Sequence, residues 1–477
     1  MSLLSKAALS ALPETVEAPR MRGPIGTGIV HFGPGAFHRA HQADFVDQLL
    51  DHDRRWGIAA VSMRSRGTID ALAAQDGLYT LAIRDVTPGM RVIGAHTHFL
   101  GPDEATTIKA LLAAPDTRLV TTTVTEKGYC LGPDGTLDLG HPDIVHDLAG
   151  PDVPASVIGW IVGGLAARRD AGIAPFVPMP CDNLASNGAK LHAALAAFAR
   201  QLDPGLADWI GAEVRVPSTM VDSITPASDD TLYADVAAAL GVDDRAAVQR
   251  EAFAQWVIED VPGLPDLAAV GATITRDVGG YERAKLRILN GSHSTLAYAG
   301  LLRGHESVAQ AMGDPVLAGF VEAMIRDDII PMLPAVPGLD LGDYAAAVLR
   351  RFSNPVIVHR LDQIAIDGSQ KLPYRLGDTL MANRRAGRMP GYVVAALGAW
   401  IAFLMRRVRE DVVIVDPASD RLTRAAQADT PAAVIAALVA GEIGFPPGIG
   451  GDRAAIAAVE TAAARALDGE IVPVAIG

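Results

Sequence analysis

GTGIVHFGPGAFHRAHQADFVDQLLDHD, residues 26–53, is the stretch on which the fold turns. Residues 28–32 form a short apolar run, glycines follow at 33 and 35, and Phe45, Leu49 and Leu50 recur at helical spacing. The pattern predicts strand, tight turn, helix. A second strand is expected in WGIAAVSM, residues 56–63, which completes the opening β-α-β arrangement of a dinucleotide-binding domain.

Working outward, TRLVTTTV (117–124) and IAPFVPMP (173–180) read as further strands, with the helical pattern SVIGWIVGGLAARRDAG between them. Such alternation implies an α/β domain, a mostly parallel sheet covered on both faces. From about residue 280 the texture changes to Ala-rich amphipathic runs: DYAAAVLRRF, YVVAALGAWIAFLMRRV, PAAVIAALVAGE and RAAIAAVETAAARAL. The expected division is a Rossmann-type domain over 1–280 and a mainly α-helical domain over 281–477.

The 477 residues exceed what one hydrophobic core usually serves, in keeping with two domains. A formal charge of −14 disfavours a nucleic-acid backbone or an anionic membrane as partner. Cys130 and Cys181 are too few for a disulfide framework and lack ligand-like spacing, which fits a reducing cytoplasm. The N-terminal stretch, interrupted by Pro13, Glu14 and Glu17, does not read as a signal peptide. Gly391 to Met405 is shorter than a membrane span needs and reads as a buried helix.

Gly33 and Gly35 meet two of the three positions of G-x-G-x-x-G, and His38 takes the third. The glycines suit a tight turn in which backbone N–H groups approach a pyrophosphate. Phe37 and His38 adjoin that turn, and His38 is expected either to line the phosphates or to close the turn. Where an acidic residue normally receives the ribose hydroxyls, the second strand runs into Arg64, Ser65 and Arg66. NAD is the expected cofactor, with NADP left open by those basic groups. His31, His38 and His41 match no standard zinc spacing, so no metal is expected there.

YERAKLRILNGSHSTLAYAG, residues 281–300, carries the chemistry. In a helix Lys285, Asn290 and His293 fall within roughly a 140° arc at about 100° per residue. A lysine desolvated there serves as general base, Asn290 donates to an oxygen that gains charge, and His293 orients a hydroxyl. An ordinary amphipathic helix, or a turn at Asn290-Gly291, is the alternative.

GPGAFHRAHQA (33–43), QDGLYTL (75–81), TVTEKGY (123–129), CDNLASNG (181–188), VDSITP (221–226), QWVIED (255–260), KLRILNGSH (285–293) and DGSQKLPYR (367–375) follow one another in order. Together they resemble the mannitol dehydrogenase family of long-chain polyol dehydrogenases, which includes fructuronate reductases. The resemblance runs nearly end to end. It implies metal-independent hydride transfer between a secondary alcohol and a ketone, with Lys285, Asn290 and His293 catalytic and Asn183 joining Asn290 at the alkoxide. It also implies that Asp222 holds substrate hydroxyls and that Glu126, grouped here with the cofactor set, relays the proton from the lysine. The partner is then a small polyol or sugar acid, and the protein a monomer or small homo-oligomer.

NPVIVHRLDQIAIDGSQKLPYR, residues 354–375, is similar to the fructuronate-reductase branch. His359, Arg360, Lys371 and Arg375 are its candidate partners for a carboxylate, unless they pair with Asp362 and Asp367 instead. The competing classes are a nucleotide-binding sensor without turnover and a metal-dependent alcohol dehydrogenase.

Overall fold

The computed structural model describes residues 2–20 and 23–474. Met1, Met21 and Arg22 of the N-terminal stretch, and the last three residues of the helical half, lie outside the described residues. The chain divides into two compact units, Met1–Gly279 and Gly280–Gly477.

In the first unit, the apolar run forms the strand Thr27–Phe32, fully buried from its second residue on. It is the centre of a five-stranded parallel sheet. The order is His96–Leu100, Gly57–Val61, Thr27–Phe32, Leu119–Thr122, Val177–Pro180. The chain moves outward on one side of Thr27–Phe32 and then reverses to the other. This is the doubly wound order of a Rossmann domain, with its switch point between Thr27–Phe32 and Leu119–Thr122. Apolar side chains fill both faces: Trp160, Ile161 and Phe198 on one, Phe45, Trp256 and Met179 on the other.

Two smaller sheets extend this unit. One joins Val16–Glu17, Gly89–Ile93, Tyr79–Arg84 and Val248–Glu251; the other joins Thr273–Thr275, Gln255–Glu259 and Thr219–Asp222. The second of these places Asp222 at a strand end, opposite Gln255.

The second unit is helical. Gly391–Arg409, 19 residues long, is apolar and long enough to cross a membrane by composition, yet its residues from Val393 to Met405 are buried in the core of the unit. Gly398 lets the backbone of Arg453–Leu467 approach closely: a Cβ there would stand 2.7 Å from the carbonyl carbon of Ala462.

Candidate active site

The glycine turn follows directly from the central strand. Gly33 adopts φ +91°, and a Cβ on it would lie 2.3 Å from the Thr123 carbonyl oxygen. Only glycine fits between the two strands of the switch point. Gly35 is exposed and precedes the short helix Ala36–Ala40. Phe37, half-buried, stacks on His41 with centroids 5.1 Å apart.

His38 corrects one of the two expectations held for it. Its ring stacks on His31 at 3.5 Å, its Nε2 stands 3.1 Å from His96 Nε2, and it is buried. The side chain closes the turn from inside and does not line the phosphates. Burial holds His31 and His96 down at about 3, and burial with the neighbouring His31 and His96 holds His38 well below the ordinary value, so these rings are neutral.

On the other side of the switch point, Asp182 of CDNLASN accepts from the backbone N–H groups of Val124 and Thr125 and from Tyr129 Oη. This fixes Thr125 at φ 66° and ψ 164°, a region that β-branched residues avoid. Glu126, next along, is exposed at the start of the 3-10 turn Glu126–Tyr129. Asn187 binds Pro180 O, Asp182 O and Thr219 O, tying the CDN loop to the strand that ends in Asp222. Asn183 is exposed, and Asp222 is buried. Asp182 and Asn187 are the supports that sequence reasoning missed, although both lie inside the motif that signalled Asn183.

Arg64 leaves the strand Gly57–Val61 into solvent, with Asp143 Oδ2 at 3.4 Å. Among the described residues, one group of metal-type donors comes together, Cys130, His141 and Asp143, within 4.8 Å of one another. Their linear spacing hid it. His141 Nδ1 accepts from the Asp143 N–H, and burial with the Asp143 and Asp147 carboxylates pushes the Cys130 thiol up to about 11.

In the second unit, the expected helix over residues 281–300 forms with one difference. Val278–Ala284 continues into a π-helical turn, Lys285–Asn290, and then into Gly291–Leu302. The i→i+5 bonding of a π turn sets Lys285 and Asn290 one turn apart, so the face is narrower than the α-helical arc predicts. Such turns recur at functional sites. Lys285 and Asn290 are half-buried, and His293 is buried in the following turn.

His293 stacks on Phe352 at 4.3 Å and meets His359 edge-on at 4.8 Å. His293 Nε2 and His359 Nδ1 are buried without a hydrogen-bond partner among the described residues. Burial, with Arg351 adding to it, lowers both rings below the ordinary histidine value. They are neutral imidazoles, each able to donate and accept. Arg375 Nη1 donates to Ser294 Oγ at 3.1 Å, and Arg375 has no carboxylate partner among the described residues. Gly291 admits this close packing: a Cβ on it would lie 3.0 Å from the Arg375 carbonyl oxygen.

Arg360 is a correction. It is exposed and bound bidentately by Asp362 at 3.0 and 2.5 Å, the acidic pairing that stood as the alternative to a ligand. Lys371 is part-buried, donates to Ile366 O at 2.8 Å, and is held below the ordinary lysine value by burial and by Arg375.

The mannitol dehydrogenase Rossmann-domain profile matches residues 27–267, and the mannitol dehydrogenase C-terminal-domain profile matches residues 277–466. This chain belongs to the mannitol dehydrogenase family. D-mannonate oxidoreductase of Escherichia coli (strain K12) is 42% identical over 385 residues, 79% of each chain. Mannitol 2-dehydrogenase of Cereibacter sphaeroides is 39% identical over 402 residues, 82% of this chain and 84% of its own. Among solved structures, the Pseudomonas fluorescens mannitol 2-dehydrogenase in ternary complex with NAD and D-mannitol is 37% identical, with TM-score 0.83 over 98% of this chain and 97% of its own. A substrate-free D-sorbitol dehydrogenase gives TM-score 0.91 at 30% identity, covering 98% of this chain and 100% of its own. Members of the mannitol dehydrogenase family are oxidoreductases of polyols and sugar acids, and this chain is one of them.

Proposed function

We propose that the protein interconverts a sugar acid and its keto form, of the mannonate/fructuronate type, using NAD in a reducing cytoplasm and needing no metal for the chemistry. The observation that carries the reaction type is the π turn Lys285–Asn290 running into His293. Lys285 Nζ takes the proton of the substrate's secondary hydroxyl. Asn290 donates to the oxygen as it gains charge, and the neutral His293 holds the hydroxyl in line. A bound nicotinamide supplies the hydride acceptor at C4. The roles of Asn183 as second amide donor, Asp222 as acceptor for substrate hydroxyls and Glu126 as proton relay rest on the family motifs. The turn at Gly33 and Gly35, with Phe37 beside it, fits the dinucleotide's pyrophosphate, because the Gly33 approach to Thr123 leaves the backbone bare there.

The sugar acid is favoured over a neutral polyol by Arg375, a half-buried guanidinium next to His293 without an acidic partner among the described residues. Its planar fork matches a carboxylate, whereas Lys371 is already held by Ile366 O and lies 3.9 Å from Asp367. NADH oxidation with D-fructuronate and with D-fructose tests the reading. Strong preference for fructuronate supports it, and preference for fructose returns Arg375 to a packing role.

A further inference from the structure

The strand Gly57–Val61 pairs with the central strand so that Val61 lies opposite Phe32, and the Gly33 N–H donates to Val61 O at 2.9 Å. Residues 62–67, SMRSRG, therefore leave the sheet beside the glycine turn. In this fold that position faces the ribose of the adenosine half, and an Asp or Glu there accepts the ribose hydroxyls and repels a 2′-phosphate. The segment holds no acid.

The carboxylates around it are each engaged by an arginine. Arg66 is bound by Asp70 at 3.1 Å, by Glu104 at 3.2 Å and by Asp103, which fixes it in place. Arg64 differs. Its side chain is 81% exposed, and its contact with Asp143 is a single 3.4 Å approach through one nitrogen. An exposed pair of that kind contributes about 0–1 kcal/mol, so exchange for a dianionic phosphate is easy. Ser65, also exposed, offers a hydroxyl at the next residue.

We propose that Arg64, with Ser65, forms a subsite for the 2′-phosphate of the adenosine ribose, so that the enzyme takes NADPH at least as tightly as NADH. The inference rests on the nucleotide-binding reading of the glycine turn. It is independent of the sugar substrate, because every group involved belongs to the first unit.

Calorimetric titration of the full chain with NADH, NADPH, AMP and adenosine 2′,5′-bisphosphate tests it without turnover. The expected result is a Kd for NADPH equal to or below that for NADH. Arg64→Gln should then weaken NADPH and the bisphosphate by about tenfold or more while NADH and AMP change by less than about threefold, as loss of a charge-assisted contact predicts. NADH binding tenfold tighter than NADPH in the unaltered protein overturns the subsite and leaves the dinucleotide reading standing. Equal losses for all four ligands in Arg64→Gln mean that the guanidinium packs on the adenine, which also overturns it. If no nucleotide binds, the dinucleotide reading itself falls.

Discussion

At Gly33 the chain has no room for any side chain: φ is +91°, and the carbonyl of Thr123 occupies the place of a Cβ. Gly33→Ala must push the switch point apart, and we expect nucleotide affinity to fall at least tenfold by titration while the far-UV spectrum stays native. Lys285→Ala should lower kcat by about 10²–10⁴-fold with nucleotide binding retained, as expected for loss of a general base. Near-normal turnover in that variant would exclude Lys285 from proton transfer. Arg375→Gln should reduce kcat/KM for a sugar acid by about 10–100-fold and leave a neutral ketose nearly unaffected, whereas Arg360→Gln should do neither. These contrasts mark what is legible at this scale. Lys285, Asn290 and His293 are placed on one helical face by their spacing, whereas their catalytic assignment, and Asn183 altogether, come from the family motifs. Whether a basic side chain faces a ligand or an acid two residues away is decided by a rotamer, and Arg360 and Arg375 look alike until their neighbours are seen.

Elements are legible in proportion to how local their cause is. The run from Thr27 to Phe32, the strands at Gly57–Val61 and Leu119–Thr122, and the Ala-rich helices follow from periodicity within a few residues. The two added sheets do not, because Val248–Glu251 pairs with Tyr79–Arg84 across more than 160 residues, and no local pattern encodes such a partner. The π turn is hidden for a related reason: one extra residue in a helical turn leaves the apolar spacing almost unchanged while it re-aims Lys285. Gly398 shows the same limit in packing. It is an unremarked glycine in a helical run, yet the crossing with Arg453–Leu467 depends on its missing Cβ. Gly398→Val should force the two helices apart and lower the unfolding midpoint by several degrees, a cost of about 1–3 kcal/mol measurable by thermal denaturation. An unchanged midpoint would show that the crossing has slack.

For the whole molecule, the buried polar groups beneath the glycine turn tie stability to pH. His31 and His96 titrate at about 3 in the folded protein because burial disfavours their charged forms, against about 6.5 in the unfolded chain. Between those values the unfolded chain binds more protons than the folded one, so stability is lost as pH falls below 6.5. Asp47 works in the opposite sense. Burial raises it to about 6, so from pH 6 down to its unfolded value near 3.8 the folded state takes up the extra proton and gains. His38, His293 and His359, also lowered by burial, act with His31 and His96 against Asp47 and the burial-raised Asp182 and Asp328, and the histidines leave a net loss on acidification, His31 and His96 each contributing on the order of 1 kcal/mol at pH 5.5. Urea denaturation followed by circular dichroism should therefore give a lower unfolding free energy at pH 5.5 than at pH 7.5. The loss should set in below pH 6.5, well above the range in which exposed carboxylates titrate. Equal stability at the two pH values would mean that the rings under the turn are already charged in the native protein, and the neutral stack of His31 on His38 would have to be abandoned.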